Sequence, residues 1–222
     1  EAYGSKFRIP FYCNVRADQM NEELAFALKD AGCYLVSFGL ESGVEKIRTE
    51  VLKKNVTNER FRQTADILKK AGLRFAATNM VGLPNESLED AIRTLQFNVE
   101  IGADVPWVSL YQPFPKTHLA EKALEEGLIK KLDDNLGYDI HTDSRLCQPE
   151  IDEIVRLHKF AFVVLKFPQS ISLVRKLIKR DHPVLYYYIH RVTYFWFYFR
   201  RERLMSWRRV IIEAFAAMRY YS

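Results

Sequence analysis

Three times in this chain a helical pattern stops on glycine and runs straight into an apolar strand. The junctions are Ala31-Gly32, Ala71-Gly72 and Ile101-Gly102. Their spacing, roughly 30 to 40 residues, is the length of a strand-plus-helix unit in a parallel sheet. Glycine suits the stop because it enters the left-handed region without steric cost.

The units read in order. Arg8–Val15 is an apolar, β-prone run. Asn21 opens a helix with Glu22 and Glu23 in its first turn, where the helix dipole favours acids. Tyr34–Gly39 is the second strand. Thr57 then caps a helix carrying Phe61, Ala65 and Leu68, and Leu73–Val81 is the third strand. Ser87 caps a helix with Ile92, Leu95 and Val99, and Val105–Tyr111 is the fourth strand. His118–Gly127 is one more short helix. Such continuous apolar strands fit a sheet covered on both faces. A doubly wound sheet and a TIM-like barrel both satisfy the pattern, and in both the ligand sits at the carboxyl ends of the strands.

Beyond residue 127 the pattern changes. Residues 128–150 are irregular and polar, 151–167 read as one helix broken by Pro168, and the rest is helical, aromatic and basic. The expected organisation is a barrel portion over 1–127, a connection over 128–150 and a helical extension over 151–222. Residues 151–222 hold 14 Lys/Arg against 5 Asp/Glu, net +9, whereas residues 1–150 hold 19 against 23, net −4. Residues 184–200 are strongly aromatic, but His190 and Arg191 interrupt them, and the run falls short of the ~20 residues a membrane span needs. Three readings stay open for this tail. It packs on the barrel with a solvated basic face, lies on anionic lipid through 184–209, or binds nucleic acid. Nucleic acid is disfavoured because no RNA-binding motif accompanies the arginines. Cys13, Cys33 and Cys147 are scattered and form no C-x-x-C pair, which argues against a disulfide framework and for a reducing setting. No signal peptide follows Glu1. The expected location is cytoplasmic, with peripheral contact on the inner face of the membrane.

Polar, Gly and Pro residues gather at the four strand ends. They are Asn14–Asp18, Gly39–Gly43, Asn79–Ser87 and Tyr111–Thr117. Each has a plain structural reading: the glycines serve tight turns, and Glu41 and Glu86 are exposed or cap nearby amides. Four such clusters in succession point to a ligand site. A glycine lets a flat ligand approach the backbone, and a neighbouring carboxylate accepts hydrogen bonds from hydroxyls or an amino group.

The succession Arg16-Ala17-Asp18, Phe38-Gly39-Leu40-Glu41-Ser42-Gly43, Met80-Val81-Gly82-Leu83-Pro84-Asn85-Glu86 and Pro113-Phe114-Pro115-Lys116-Thr117 resembles the radical S-adenosylmethionine (SAM) superfamily. The match is to the branch whose members often carry an N-terminal cobalamin-binding domain, and it covers about residues 8–127. The resemblance implies the C-terminal part of a partial (β/α)6 barrel. Such a barrel places SAM at its strand ends against a 4Fe-4S cluster, and reductive cleavage of SAM starts radical chemistry on a substrate. By position, Glu41 and Ser42 would contact the ribose or methionine part and Arg16 the carboxylate. Met80 and Val81, before Gly82, would form the adenine wall, and the backbone near Gln112 and Pro113 would bond the adenine edge. The implied cofactors are SAM, the cluster and, through a further domain, cobalamin. The implied partners are a small-molecule or lipid-like substrate and an electron-donor protein.

One departure stands out. The family holds its cluster on three cysteines in C-x-x-x-C-x-x-C, and this chain has no such motif. The expectation is a C-terminal portion whose cluster loop lies upstream of Glu1, so that the chain alone is inactive. The contrasting reading is a non-catalytic membrane-associated or protein-binding module that retains a barrel remnant. An aldolase-like barrel is weaker, since Lys116 is the only lysine at a strand end. His118, His141 and His158 are candidate acids or bases, though a lone histidine is more often structural.

Overall fold

Side-chain alternation along four parallel strands sets the architecture. In the computed structural model, residues 9–132 and 143–196 are described, and the chain divides into two compact units, Glu1–His158 and Lys159–Ser222. The strands are β1 (Phe11–Asn14), β2 (Cys33–Glu41), β3 (Arg74–Val81) and β4 (Val105–Leu110). They pair in parallel in the sheet order β1-β2-β3-β4. Nothing in that order reverses direction, as a doubly wound sheet must at its switch point. The sheet is therefore singly wound, in the manner of a barrel wall.

Helices α1 (Glu22–Asp30), α2 (Asn58–Lys70) and α3 (Leu88–Ile101) connect the strands. They bury Ala25, Phe61, Leu68 and Phe97 against Val36, Phe38, Leu40, Phe75 and Ala77. On the opposite pleat Leu35, Ala76 and Val105 form a small buried cluster, whereas Ser37, Gly39, Glu41, Thr78, Met80, Trp107 and Ser109, further along the strands, are only half-buried. The expected cover on both faces thus holds at the start of the strands and not toward their carboxyl ends. The half-open pleat corresponds to the inside of a barrel wall.

Local chemistry explains where the helices begin and end. The Asn21 and Thr57 side chains accept the amides of Leu24 (2.8 Å) and Arg60 (3.1 Å). Ser87 and Asp90 form a reciprocal capping box at the start of α3. The three stop glycines all adopt positive φ: +93° at Gly32, +64° at Gly72 and +69° at Gly102.

Two elements depart from the sequence reading. A π-helical turn over Ile47–Val51, in a stretch without clear apolar period, fills the connection after β2. The single helix expected over 151–167 is instead α5 (Ile151–Lys159) and α6 (Ala161–Lys166), parted at Phe160 (φ −98°, ψ 1°). Apolar period runs unbroken through that joint, so no sequence signal marks it. A short helix α4 (His118–Glu125) follows β4, and residues 143–150 carry no helix or strand.

In the second unit α6 leads through a 3-10 turn (Pro168–Ser170) to α7 (Ile171–Leu177) and α8 (Pro183–Phe195). The Tyr186 hydroxyl donates to the carbonyls of Leu177 (2.8 Å) and Arg180 (3.0 Å), closing α8 onto the end of α7. Its ring meets Phe160 edge-on at 5.0 Å. No helix among the described residues is long and apolar enough to cross a membrane.

Gly43 shows how tightly the β2 connection sits on α3. A Cβ there would lie 2.7 Å from Thr94 Cα and 2.8 Å from the Arg93 carbonyl oxygen. Gly43→Ala is expected to push the connection off the helix and cost about 1–3 kcal/mol, an overpacking penalty. Urea unfolding checks this, and an unchanged midpoint refutes it.

Candidate functional site

The end of β2 is the most elaborated part of the half-open face. Glu41 closes the strand at φ +71°, a conformation rare for a residue with a Cβ and often retained at functional sites. Its Oε1 lies 3.4 Å from Lys54 Nζ, and both side chains are about a third exposed or less. Lys54 Nζ also donates to the Gly39 carbonyl. A Cβ on Gly39 would overlap the Glu41 carboxylate. Gly39 therefore lets an acid–base pair lie flat on the inner pleat.

Ser42 faces the other way. It is fully buried, with its hydroxyl 3.3 Å from Thr94 Oγ1 and accepting from the Val44 amide at 3.2 Å. Beneath it lies Arg48, also fully buried, which sequence reasoning missed. Its guanidinium donates to the carbonyls of Ser42 (2.5 Å) and Val56 (2.9 Å) and to Asn58 Oδ1 (2.6 Å). It stacks 5.0 Å from the Phe61 ring centroid. Burial lowers its pKa to about 10, with Glu45 opposing, so it remains charged at neutral pH. An arginine among other charged residues reads in sequence as part of a solvated face, and nothing local marks it as buried.

The end of β3 divides its residues between the two pleats. Met80 faces the half-open side and packs with Leu83, Tyr111 and Ile47 in an apolar cluster around the strand ends. Val81 shares the opposite pleat with Phe75 and Ala77 and is buried. Gly82 turns the chain at φ +75°. Glu86 is buried, and its Oε2 accepts the amides of Gly82 and Leu83, while Oε1 has no hydrogen-bond partner. Glu86 thus shapes the turn, the capping role weighed for it in the sequence.

After β4, Gln112 and Pro113 are both buried. Gln112 Nε2 donates to the Asp143 carbonyl at 2.7 Å. The Gln112 backbone carbonyl accepts the Phe114 amide at 2.9 Å, which closes a tight turn around Pro113. Arg16 lies apart from these residues. It is exposed and paired in bidentate fashion with Asp18 at 2.7 and 3.1 Å. His158 is buried, with Nε2 3.1 Å from the Val108 carbonyl, while His118 is exposed at the start of α4. Lys116 is exposed in the loop after β4, and His141 lies outside the described residues. The structure therefore brings Gly39, Glu41 and Met80 onto one open pleat, with Gly82, Gln112 and Pro113 at the ends of the neighbouring strands. Arg16, Ser42 and Val81 point elsewhere.

Residues 3–97 match the radical SAM superfamily. An uncharacterized methyltransferase of Pyrococcus horikoshii is 30% identical over 121 residues, covering 54% of this chain and 26% of that protein. A Methanocaldococcus jannaschii protein named as a putative methylthiotransferase is 31% identical over 123 residues, 54% of this chain and 27% of its own length. The chain thus spans about a quarter of the length of these curated relatives. Among solved structures, the radical SAM methyltransferase TsrM of Kitasatospora setae, bound to tryptophan and a SAM analogue, superposes with a TM-score of 0.55 at 14% identity, over 73% of this chain and 37% of that one. Escherichia coli coproporphyrinogen III oxidase, a radical SAM enzyme, gives 0.51 at 16% identity, over 69% and 31%. These likenesses establish the barrel-type α/β fold.

The radical SAM cofactors divide on a test of fit. The half-open pleat, with a carboxylate, a Cβ-free glycine and a methionine, suits the polar and flat parts of SAM. The cluster does not fit. Cys13 and Cys33 lie 3.9 Å apart on β1 and β2, and no group of three metal-binding side chains occurs among the described residues. The approach of Cys13 to Cys33 was hidden by their separation in sequence.

Burial pushes the Glu86 carboxyl up to about 8, against the lowering effect of the Leu83 and Gly82 amides. A carboxyl whose pKa is raised on folding contributes its stability fully below its unfolded value, and loses it as pH rises through the folded value. The protein is expected to lose on the order of 1–4 kcal/mol from this group as pH rises across that window. Glu86→Gln, which has no proton to lose, flattens that decline. Urea midpoints at a mildly acidic and a mildly basic pH measure it, and identical slopes in both chains refute the assignment.

Proposed function

We propose that this chain forms the SAM-facing wall of a radical SAM enzyme, with Gly39, Glu41 and Met80 at its centre. The observation that carries the reading is the Glu41–Lys54 pair lying on the open pleat over a glycine that has room for nothing larger. Glu41 accepts hydrogen bonds from the ribose hydroxyls or the amino group of SAM, and Lys54 holds that carboxylate in place. Met80 supplies the apolar surface for the adenine, and the backbone at Gln112 and Pro113 its polar edge. Arg16 reaches the SAM carboxylate only by leaving Asp18. Ser42 acts by positioning the loop beneath Glu41.

A 4Fe-4S cluster, if held by residues outside this chain, would supply reducing chemistry toward SAM, and an electron-donor protein would serve it. Its cysteine ligands are not among this chain's residues. The names of the relatives favour transfer of a methyl or methylthio group, with cobalamin as a second cofactor held outside this chain. The substrate is a small or lipid-like molecule, and the setting is cytoplasmic.

Two measurements test this. Anaerobic iron and sulfide reconstitution of this chain is expected to give no stoichiometric 4Fe-4S absorbance, and a full cluster would overturn the ligand assignment. Saturation-transfer NMR is expected to show weak SAM binding by this chain. Gly39→Val, which displaces the Glu41 carboxylate, weakens that binding about tenfold or more, roughly 1.4 kcal/mol. Equal binding by a folded Gly39→Val chain removes the site.

A further inference from the structure

The outer face of α8 is the wrong surface for water. Tyr186, His190 and Tyr194 turn inward, four residues apart, with Tyr186 against Phe160 and the other two against Phe162. A surface helix then carries polar residues on its opposite side. Here that side presents Val184 (70% exposed), Leu185 (54%), Tyr188 (62%) and Val192 (67%). Among the described residues the helix has 13 residues, about 20 Å at roughly 1.5 Å per residue, less than a bilayer's ~30 Å hydrocarbon core.

The surrounding charge indicates what covers this face. Residues 159–196 hold seven Lys/Arg and one acid, Asp181, a net +6. Lys176, Lys179 and Arg180 lie at the end of α7 and in the turn into α8, with Lys179 and Arg180 exposed or nearly so. Leu173 (59% exposed) and Phe167 (51%) extend the apolar surface. A groove walled by Phe162, Phe167, Val192 and Trp196 opens on the same unit, with Lys166 Nζ 5.5 Å from the Trp196 ring centroid. Exposed aliphatic and aromatic side chains flanked by cations are the composition of an interfacial helix.

We infer that the second unit docks on the surface of an anionic lipid bilayer, with the Val184/Leu185/Tyr188/Val192 face of α8 in the acyl boundary and Lys176, Lys179 and Arg180 against the headgroups. Nucleic acid would meet the charge but not the aliphatic face, and a protein partner would have to pair an apolar centre with an acidic rim, whereas an anionic bilayer supplies acyl chains and negative headgroups together. Nothing in this docking depends on SAM chemistry.

Co-sedimentation of the full chain with vesicles tests it. The chain is expected to sediment with phosphatidylcholine–phosphatidylglycerol vesicles, to ignore phosphatidylcholine alone, and to release as salt rises and screens the surface charge. Replacing Val184, Leu185 and Val192 together by serine is expected to weaken binding on the order of tenfold or more, since less apolar area is buried. The pair Lys176→Glu and Lys179→Glu weakens it comparably with the apolar face intact, which covers the case in which the serine variant misfolds. Binding to neither vesicle, equal binding to both, or unchanged binding by both folded variants overturns the proposal. So does sedimentation velocity showing a dimer that the serine variant abolishes, or a single-stranded oligonucleotide displacing the vesicles.

Discussion

The packing of β2 and β3 against α2 governs everything else in the first unit. Phe38 stacks on Phe75 at 5.6 Å and lies 5.8 Å from Phe61, joining two strands to α2. Burying each such ring is worth about 1.5–3 kcal/mol. Because strand side chains alternate with period two, fixing Phe38 and Leu40 on the helix side fixes Gly39 and Glu41 on the other. A slip of one residue would bury the Glu41 carboxylate among phenylalanines. The apolar core therefore decides which residues a ligand can meet, although none of its members touches one.

A line of buried polar groups adds precision to that arrangement. Asn79 and Asn98 exchange hydrogen bonds at 3.1 and 2.9 Å, and Asn98 also donates to the Thr94 carbonyl at 2.8 Å. Thr94 Oγ1 accepts the Gly43 amide at 2.9 Å and meets Ser42. The line runs from β3 through α3 to the loop that carries Glu41, and Arg48 ties down that loop from below. Leaving a buried polar group unsatisfied costs about 1–3 kcal/mol, so each partner holds its neighbour in one geometry. Ser42 belongs to this line, which explains why its hydroxyl is turned away from the open pleat.

The strand and helix order was legible because it depends on local signals. Asn21, Thr57 and Ser87 cap the helices, glycines stop them, and apolar period fills the segments between. The half-open ends of the second pleat were not legible, since a strand such as Arg-Phe-Ala-Ala-Thr-Asn-Met-Val gives small residues and core residues the same apolar look. Among the candidate residues, the placement of Glu41 and Met80 at strand ends was readable from the strand pattern. Lys54, thirteen residues from its partner, and Arg48, buried against expectation, depend on tertiary contacts that no short window contains. The Cys13–Cys33 approach is of the same kind.

The string Gly82-Leu83-Pro84-Asn85-Glu86 has an architectural role of its own. Its glycine supplies a positive φ, Asn85 supplies another at +61°, and Glu86 gathers two amides that the turn would otherwise leave buried and unpaired. These are the demands of a tight passage from a strand into a capped helix. Gly39 and Glu41 lie in a similar string, yet their geometry differs, because the carboxylate lies over the strand instead of under its own turn. What separates a binding motif from an architectural one is where the carboxylate points. On that criterion the proposed ligand face centres on β2, with Met80 at the neighbouring strand end.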